Sequence, residues 1–239
     1  MATTKKRANT TIDESPLLDE RVVIDSYNRV EHFIEDNKKP ILIAVAVVAA
    51  LLIGYFAYKN MYLPRQNKAA SEALIGVQRS FEKGDFEATL KGDGKNAGAL
   101  EVIDNYGGGS KAGALAHYYA GVAYLNKGEF QNAIDQLSKY SGDDELINAM
   151  AMGAIGDAYT ELGDMDKGIQ YYKKAANGSR NEFSGPMFLL KAGMATETKG
   201  DYATAQGLYE QIKQLYPESQ QARDIDKYIA RAQAKTAAK

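Results

Sequence analysis

The chain has 239 residues and a formal net charge of -2, room for one ordinary domain plus a membrane segment or at most two small domains, with no global positive field to hold a nucleic acid. It contains no cysteine, which removes disulfide frameworks, Cys-based zinc sites and thiol nucleophiles, and leaves the compartment open because such a chain suits oxidising and reducing spaces alike. Its two histidines, His32 and His117, stand far apart, so no histidine metal cluster or Ser-His-Asp arrangement is apparent.

Residues 1–18 are polar, rich in Thr and charge, and have nothing to bury, which predicts a disordered tail. Over 19–39, Val23, Tyr27, Val30 and Ile34 fall at helical intervals with charged residues between them, which predicts an amphipathic juxtamembrane helix. Its polar face is as acidic as it is basic, which argues against simple adsorption to anionic lipid and leaves a partner-docking helix or a solvated stalk.

From Ile41 to Tyr58 the sequence reads ILIAVAVVAALLIGYFAY, eighteen residues without a charge, with Lys38, Lys39 and Pro40 before it and Lys59 after it. A helix of that length spans roughly 27 Å, and extension through Tyr62 takes a transmembrane helix over 41–62 across the roughly 30 Å hydrocarbon core. Ten of its residues are Leu, Ile, Val or Phe, which favours insertion by roughly 3–6 kcal/mol. A soluble core helix rarely carries so long an uncharged run between lysines, and a signal peptide starts its apolar region nearer the N-terminus, so an uncleaved single-pass anchor is expected. The positive charges flanking the span lean toward the N-terminal side, which places the tail in the cytoplasm and the large domain across the membrane. Ala46, Ala50 and Gly54 align small side chains on one face, either a packing face for another membrane helix or the chance product of an Ala-rich span.

Beyond the span, residues 66–239 carry a repeat. Gly121, Tyr124, Gly128, Phe130, Ala133 and Leu137 recur 35 residues later as Gly156, Tyr159, Gly163, Met165, Gly168 and Tyr172, and a further 37 residues on as Gly193, Thr196, Gly200, Tyr202, Ala205 and Tyr209. A period near 34 with this arrangement resembles the tetratricopeptide repeat, a pair of helices with small residues where they cross. The second Gly ends the first helix, the Ala of the second helix admits close contact, and the aromatic after it is expected to reach into the next repeat. The fold expected is all-α, one N-terminal transmembrane helix followed by a tetratricopeptide-like solenoid. Its units are a degenerate one at 68–113, repeats at 114–148, 149–185 and 186–218, and a capping helix at 219–235. In the degenerate unit a helix with the stripe Ala70, Leu74, Val77 and Phe81 pairs with residues 97–106 across a long loop, GDFEATLKGDGKNAG. Gly168, Thr196 and the single closing Pro217 depart from the repeat pattern.

The resemblance implies a concave groove lined by the first helix of each repeat. Leu115, Tyr118 and Val122, then Met150, Gly153 and Asp157, then Met187, Leu190 and Met194 occupy the inward positions, an apolar strip suited to varied apolar segments. The alternative is that these side chains pack on one another or on neighbouring elements. No lysine and asparagine clamp for a C-terminal carboxylate occurs there. His117 sits where a large packed residue is usual, Asp143, Asp144 and Glu145 suit a loop and a helix cap, and the glycines near residue 107 lack phosphate-loop spacing. No acid-base constellation, metal site, cofactor site or small-molecule site is expected, and an enzyme is not.

The order of parts, with RVEHFIEDNKKP running into the span ahead of a degenerate and three clearer repeats, resembles the YfgM family of ancillary subunits of the SecYEG export channel. The likeness runs over nearly the whole chain after Asp19. It implies a bacterial inner-membrane protein with a periplasmic repeat domain that works beside the SecYEG translocon and the membrane chaperone PpiD. A tethered scaffold of another cell-envelope complex is the alternative that shares the same fold.

Overall fold

The computed structural model describes residues 31, 33–107, 109–178 and 181–238. The expected tail at 1–18 and most of the expected helix at 19–39, including His32, Val23, Tyr27 and Val30, lie outside the described residues. The chain divides into two units, residues 1–61 and 62–239.

In the first unit, residues 33–36 are helical and lead to a turn at Asn37, whose side-chain amide donates to the Phe33 carbonyl at 2.9 Å. Helix α1, Lys38–Ala57, follows with Pro40 in its first turn, where a missing N–H costs no internal hydrogen bond. None of its residues is buried; Leu51 and Phe56 are 69% and 70% exposed. A helix apolar on every side has no single stripe that marks one side as core-facing. Among the described residues it begins the one helical stretch long and apolar enough to cross a membrane. A π-helical segment, Tyr58–Tyr62, succeeds it, with Asn60 donating to the Phe56 carbonyl at 3.1 Å.

The second unit is a right-through stack of antiparallel helices: α2 (Leu63–Glu82), α3 (Phe86–Lys91), α4 (Ala99–Tyr106), α5 (Lys111–Asn126), α6 (Phe130–Leu137), α7 (Glu145–Glu161), α8 (Met165–Gly178), α9 (Ser184–Thr198), α10 (Tyr202–Leu215) and α11 (Ile225–Ala237). From α6 onward each packs chiefly on its neighbours in sequence, whereas α2 and α3 also pack extensively on α5, and the core is a chain of three clusters rather than one centre. Such a solenoid gains stability repeat by repeat through adjacent interfaces. No strand occurs among the described residues, only an isolated bridge between Gly92 and Ala97.

Local chemistry sets the helix ends. The carboxylates of Asp85, Asp144 and Asp201 and the hydroxyl of Ser110 accept the backbone N–H three residues on, which satisfies donors that have no intrahelical partner. Gly128, Gly163 and Gly200, the second glycine of each repeat, take φ of 76°, 83° and 81° just past their helices, a conformation that a side chain resists.

The first glycine is the crossing point. A methyl on Gly121, Gly156 or Gly193 would overlap Leu137, Tyr172 or Tyr209, sixteen residues further on in every case. The large residue of the second helix therefore seats on the first helix of its own repeat, and it meets the next element as well: Leu137 shares a core cluster with Ala151 and Ile155, Tyr172 shares one with Phe188 and Leu189, and the Tyr209 ring lies 5.4 Å from that of Tyr228. Gly168 stands where the other repeats have buried Ala133 and Ala205 because the Thr160 methyl already fills that space, 2.6 Å from where a Cβ would be. Thr196 is buried and turns its hydroxyl onto the Ala192 carbonyl at 2.7 Å, so the polar group standing in for an aromatic is satisfied.

Two further expectations need correction. The long loop of the degenerate unit contains helix α3, capped by Asp85, with Thr89 and Leu90 buried. It then turns at Asp93, whose carboxylate accepts from the Lys95 and Asn96 N–H groups and the Asn96 amide and is held down at about 2 by those bonds. The regular capping helix begins at Ile225 rather than at Ser219, preceded by a short 3-10 turn, Gln221–Asp224; Ile225 and Ala232 are its buried residues.

Candidate protein-binding face

The inward positions proposed from the sequence divide among four situations. Leu115 packs against the first core cluster, Tyr118 and Val122 against the middle one, and Met150, Met187 and Leu190 against the last, all half-buried. Met194 stands alone at 46% exposed. Gly153 is buried under α9: a methyl there would lie 2.8 Å from Phe188 Cδ1 and nearer still to Cε1 and Cζ. That position is a socket for the next repeat, not groove lining. The face is thus an undulating surface of half-covered apolar side chains, in which Met187 and Met194 differ in burial.

Asp157 is the one acidic inward residue and it is engaged. Lys191 of α9 donates to its two carboxylate oxygens at 2.7 and 2.8 Å, and the Tyr172 hydroxyl of α8 donates at 2.6 Å. Burial, then the carboxylate partner, pushes the Tyr172 hydroxyl well above the usual tyrosine value, so it stays a donor. The arrangement recurs one repeat on. Glu197 of α9 accepts from the Tyr209 hydroxyl at 3.0 Å and from Arg231 of the capping helix at 2.8 and 2.6 Å, a two-pronged geometry that holds the carboxyl below its ordinary range. In each triad the acid and the base are 34 residues apart, one repeat length, with the tyrosine between them. Sequence reasoning overlooked both; an acid and a base one period apart with an aromatic between was the available signal.

Along one edge, Lys127 at the end of α5 pairs with Glu87 of α3, and Lys199 at the end of α9 pairs with Asp166 of α8. Lys127 and Lys91 together hold the Glu87 carboxyl at about 2. His117 is half-buried, with Nδ1 2.8 Å from Gln136 Oε1. Ala46, Ala50 and Gly54 lie exposed on α1, and the space beside the Gly54 Cα is open. The described residues hold no group of three or more potential metal ligands. A cleft of about 490 Å³ opens where the start of α5 meets the turn between α6 and α7.

Stacked helix pairs, glycine crossings at a constant register and an inner face of half-buried apolar side chains define a tetratricopeptide-like helical-repeat protein, a class whose repeats mediate contacts with other proteins. The chain belongs to the family described as T7SS, ESX-1 secretion system protein EccA1, N-terminal domain, which it matches over residues 48–238. It is also similar to tetratricopeptide repeat protein 29 of Homo sapiens, at 30% identity over 122 residues, 49% of this chain and 25% of that protein. The chain therefore spans about a quarter of the length of that relative.

Proposed function

We propose that this protein is a membrane-anchored adaptor of a protein-export machinery, spanning a bacterial inner membrane once with its N-terminus cytoplasmic and its repeat domain periplasmic. The observation that carries this reading is one chain holding both an apolar helix with no buried residue and a helical-repeat stack with a partly open apolar face. The helix supplies residence in the bilayer, and the stack supplies a surface for a chaperone or an emerging chain. Its resemblance to the YfgM family points to SecYEG and a PpiD-type chaperone as partners. A second reading, a scaffold of another envelope complex, has support in its own family, whose name refers to a different secretion system.

Solubilisation in mild detergent followed by affinity capture and mass spectrometry separates the two. Export-channel subunits and the chaperone are expected; reproducible recovery of a different complex without them would replace the first reading by the second. Protease added to intact spheroplasts should digest the repeat domain, and a protected repeat domain would reverse the topology.

A further inference from the structure

We propose that the cleft between the start of α5 and the α6–α7 turn is an anchor site for an extended polypeptide segment bearing a bulky apolar side chain. This rests on the partner-binding reading and gives it a location. The cleft's volume of about 490 Å³ falls within the roughly 300–1,000 Å³ typical of ligand sites. It is lined by Leu115, Ile147 and the Tyr140 ring on its apolar part, and none of these is fully buried.

The polar lining decides the class of occupant. Lys111 and Lys139 line the cleft together with Asp143 and Asp144, so the charges balance. A phosphate backbone or other polyanion would meet the two carboxylates, and an organic polycation would meet the two ammonium groups. An uncharged ligand that offers both donors and acceptors meets no such conflict, and an extended peptide backbone is of that kind. Groups are available to receive it. The Lys139 ammonium makes no ion pair among the described residues, and Lys111 and Asp143 are 4.0 Å apart, both more than 90% exposed, a contact worth little in water. The His117 ring meets Gln136 Oε1 through Nδ1 at 2.8 Å, and its Nε2 has no partner among the described residues. Asp144 is already committed to the Ile147 N–H as a helix cap, so it fixes the wall rather than binding ligand.

Because the chain has no cysteine, Ser141→Cys would place a single thiol on the rim, at an exposed position with no hydrogen bond of its own among the described residues. The experiment uses the full chain in nanodiscs. A fluorescein-labelled, end-blocked hexapeptide with Phe-Leu at its centre, flanked by Gly and Ser, is titrated before and after modification of the thiol with pyrenyl maleimide. Blocking the cleft after folding should weaken binding by at least about tenfold, and replacing Phe-Leu by Ala-Ala should weaken it similarly. Binding that survives modification but is lost in Met194→Asp would overturn the cleft assignment and leave the adaptor reading standing. Equal binding of the alanine peptide, or displacement by inorganic phosphate or spermidine, would make the cleft an ionic site and also overturn it. If no peptide binds while affinity capture still recovers membrane partners, the cleft alone fails; if neither occurs, both readings fail.

Discussion

Replacing Gly153 by Ala puts two descriptions of one position in opposition. On an open groove wall the substitution would be favourable, because alanine in a helix interior is better than glycine by about 1 kcal/mol. In the structure the added methyl has no room. It would overlap the Phe188 ring, and Phe188 is 2% exposed with Leu189 and Ala192 buried in the same cluster, so the ring cannot swing into solvent. Overpacking a filled core costs about 1–3 kcal/mol; with a contact this close the upper end, about 3, applies, and the helix-propensity gain of about 1 leaves a net loss of about 2 kcal/mol. For a domain of this size that lowers the melting temperature by roughly 4–8 °C. Thermal unfolding followed by circular dichroism at 222 nm measures it directly. Phe188→Leu supplies the control: with a smaller partner across the interface, the alanine should cost close to nothing, and the two changes should couple by about 2 kcal/mol. A raised melting temperature in Gly153→Ala alone would refute the socket and return the position to the groove.

Gly207, with nothing within 4 Å of its missing Cβ, is the converse: Gly207→Ala should raise stability by up to about 1 kcal/mol in the same assay. Met194→Asp should leave the melting transition nearly intact, whereas Met187→Asp, which puts a charge against the last core cluster, should destabilise the domain; equal effects would mean that the two share one environment. Glu197 has its folded value lowered by Arg231 and the Tyr209 hydroxyl, so its contribution to stability is present above its ordinary value of 4.5 and is lost as pH falls through the lower, folded value. Glu197→Gln should therefore destabilise at neutral pH, by an amount that shrinks in acid, and a deficit independent of pH would count against the clamp. Replacing Ala50 and Gly54 by Leu should weaken recovery of membrane partners while carbonate extraction still finds the chain inserted; unchanged recovery would leave α1 a plain anchor.

Elements governed by nearest neighbours in sequence were legible without coordinates. The charge-free run at Ile41–Tyr58 marks a helix because every side is apolar, and Gly128, Gly163 and Gly200 mark helix ends because a positive φ is a local requirement. The 35- and 37-residue displacements exposed the repeat, since each unit must present the same crossing surfaces to the next. What the sequence left undecided was which way each half-apolar side chain turns. Met150, Gly153 and Asp157 fall on one helical stripe, yet one is half-packed on the last core cluster, one is closed by Phe188, and one is held by Lys191 and Tyr172. Helical spacing fixes the angular position of a residue on its own helix; the angle at which the next helix crosses decides whether that position faces solvent or a neighbour. The same holds for the Asp157 and Glu197 triads and for the cleft beside α5, whose members lie on different helices and turns and meet only through the packing of those helices. Composition and period thus determined the class of fold, and helix packing determined which side chains are left open on its surface.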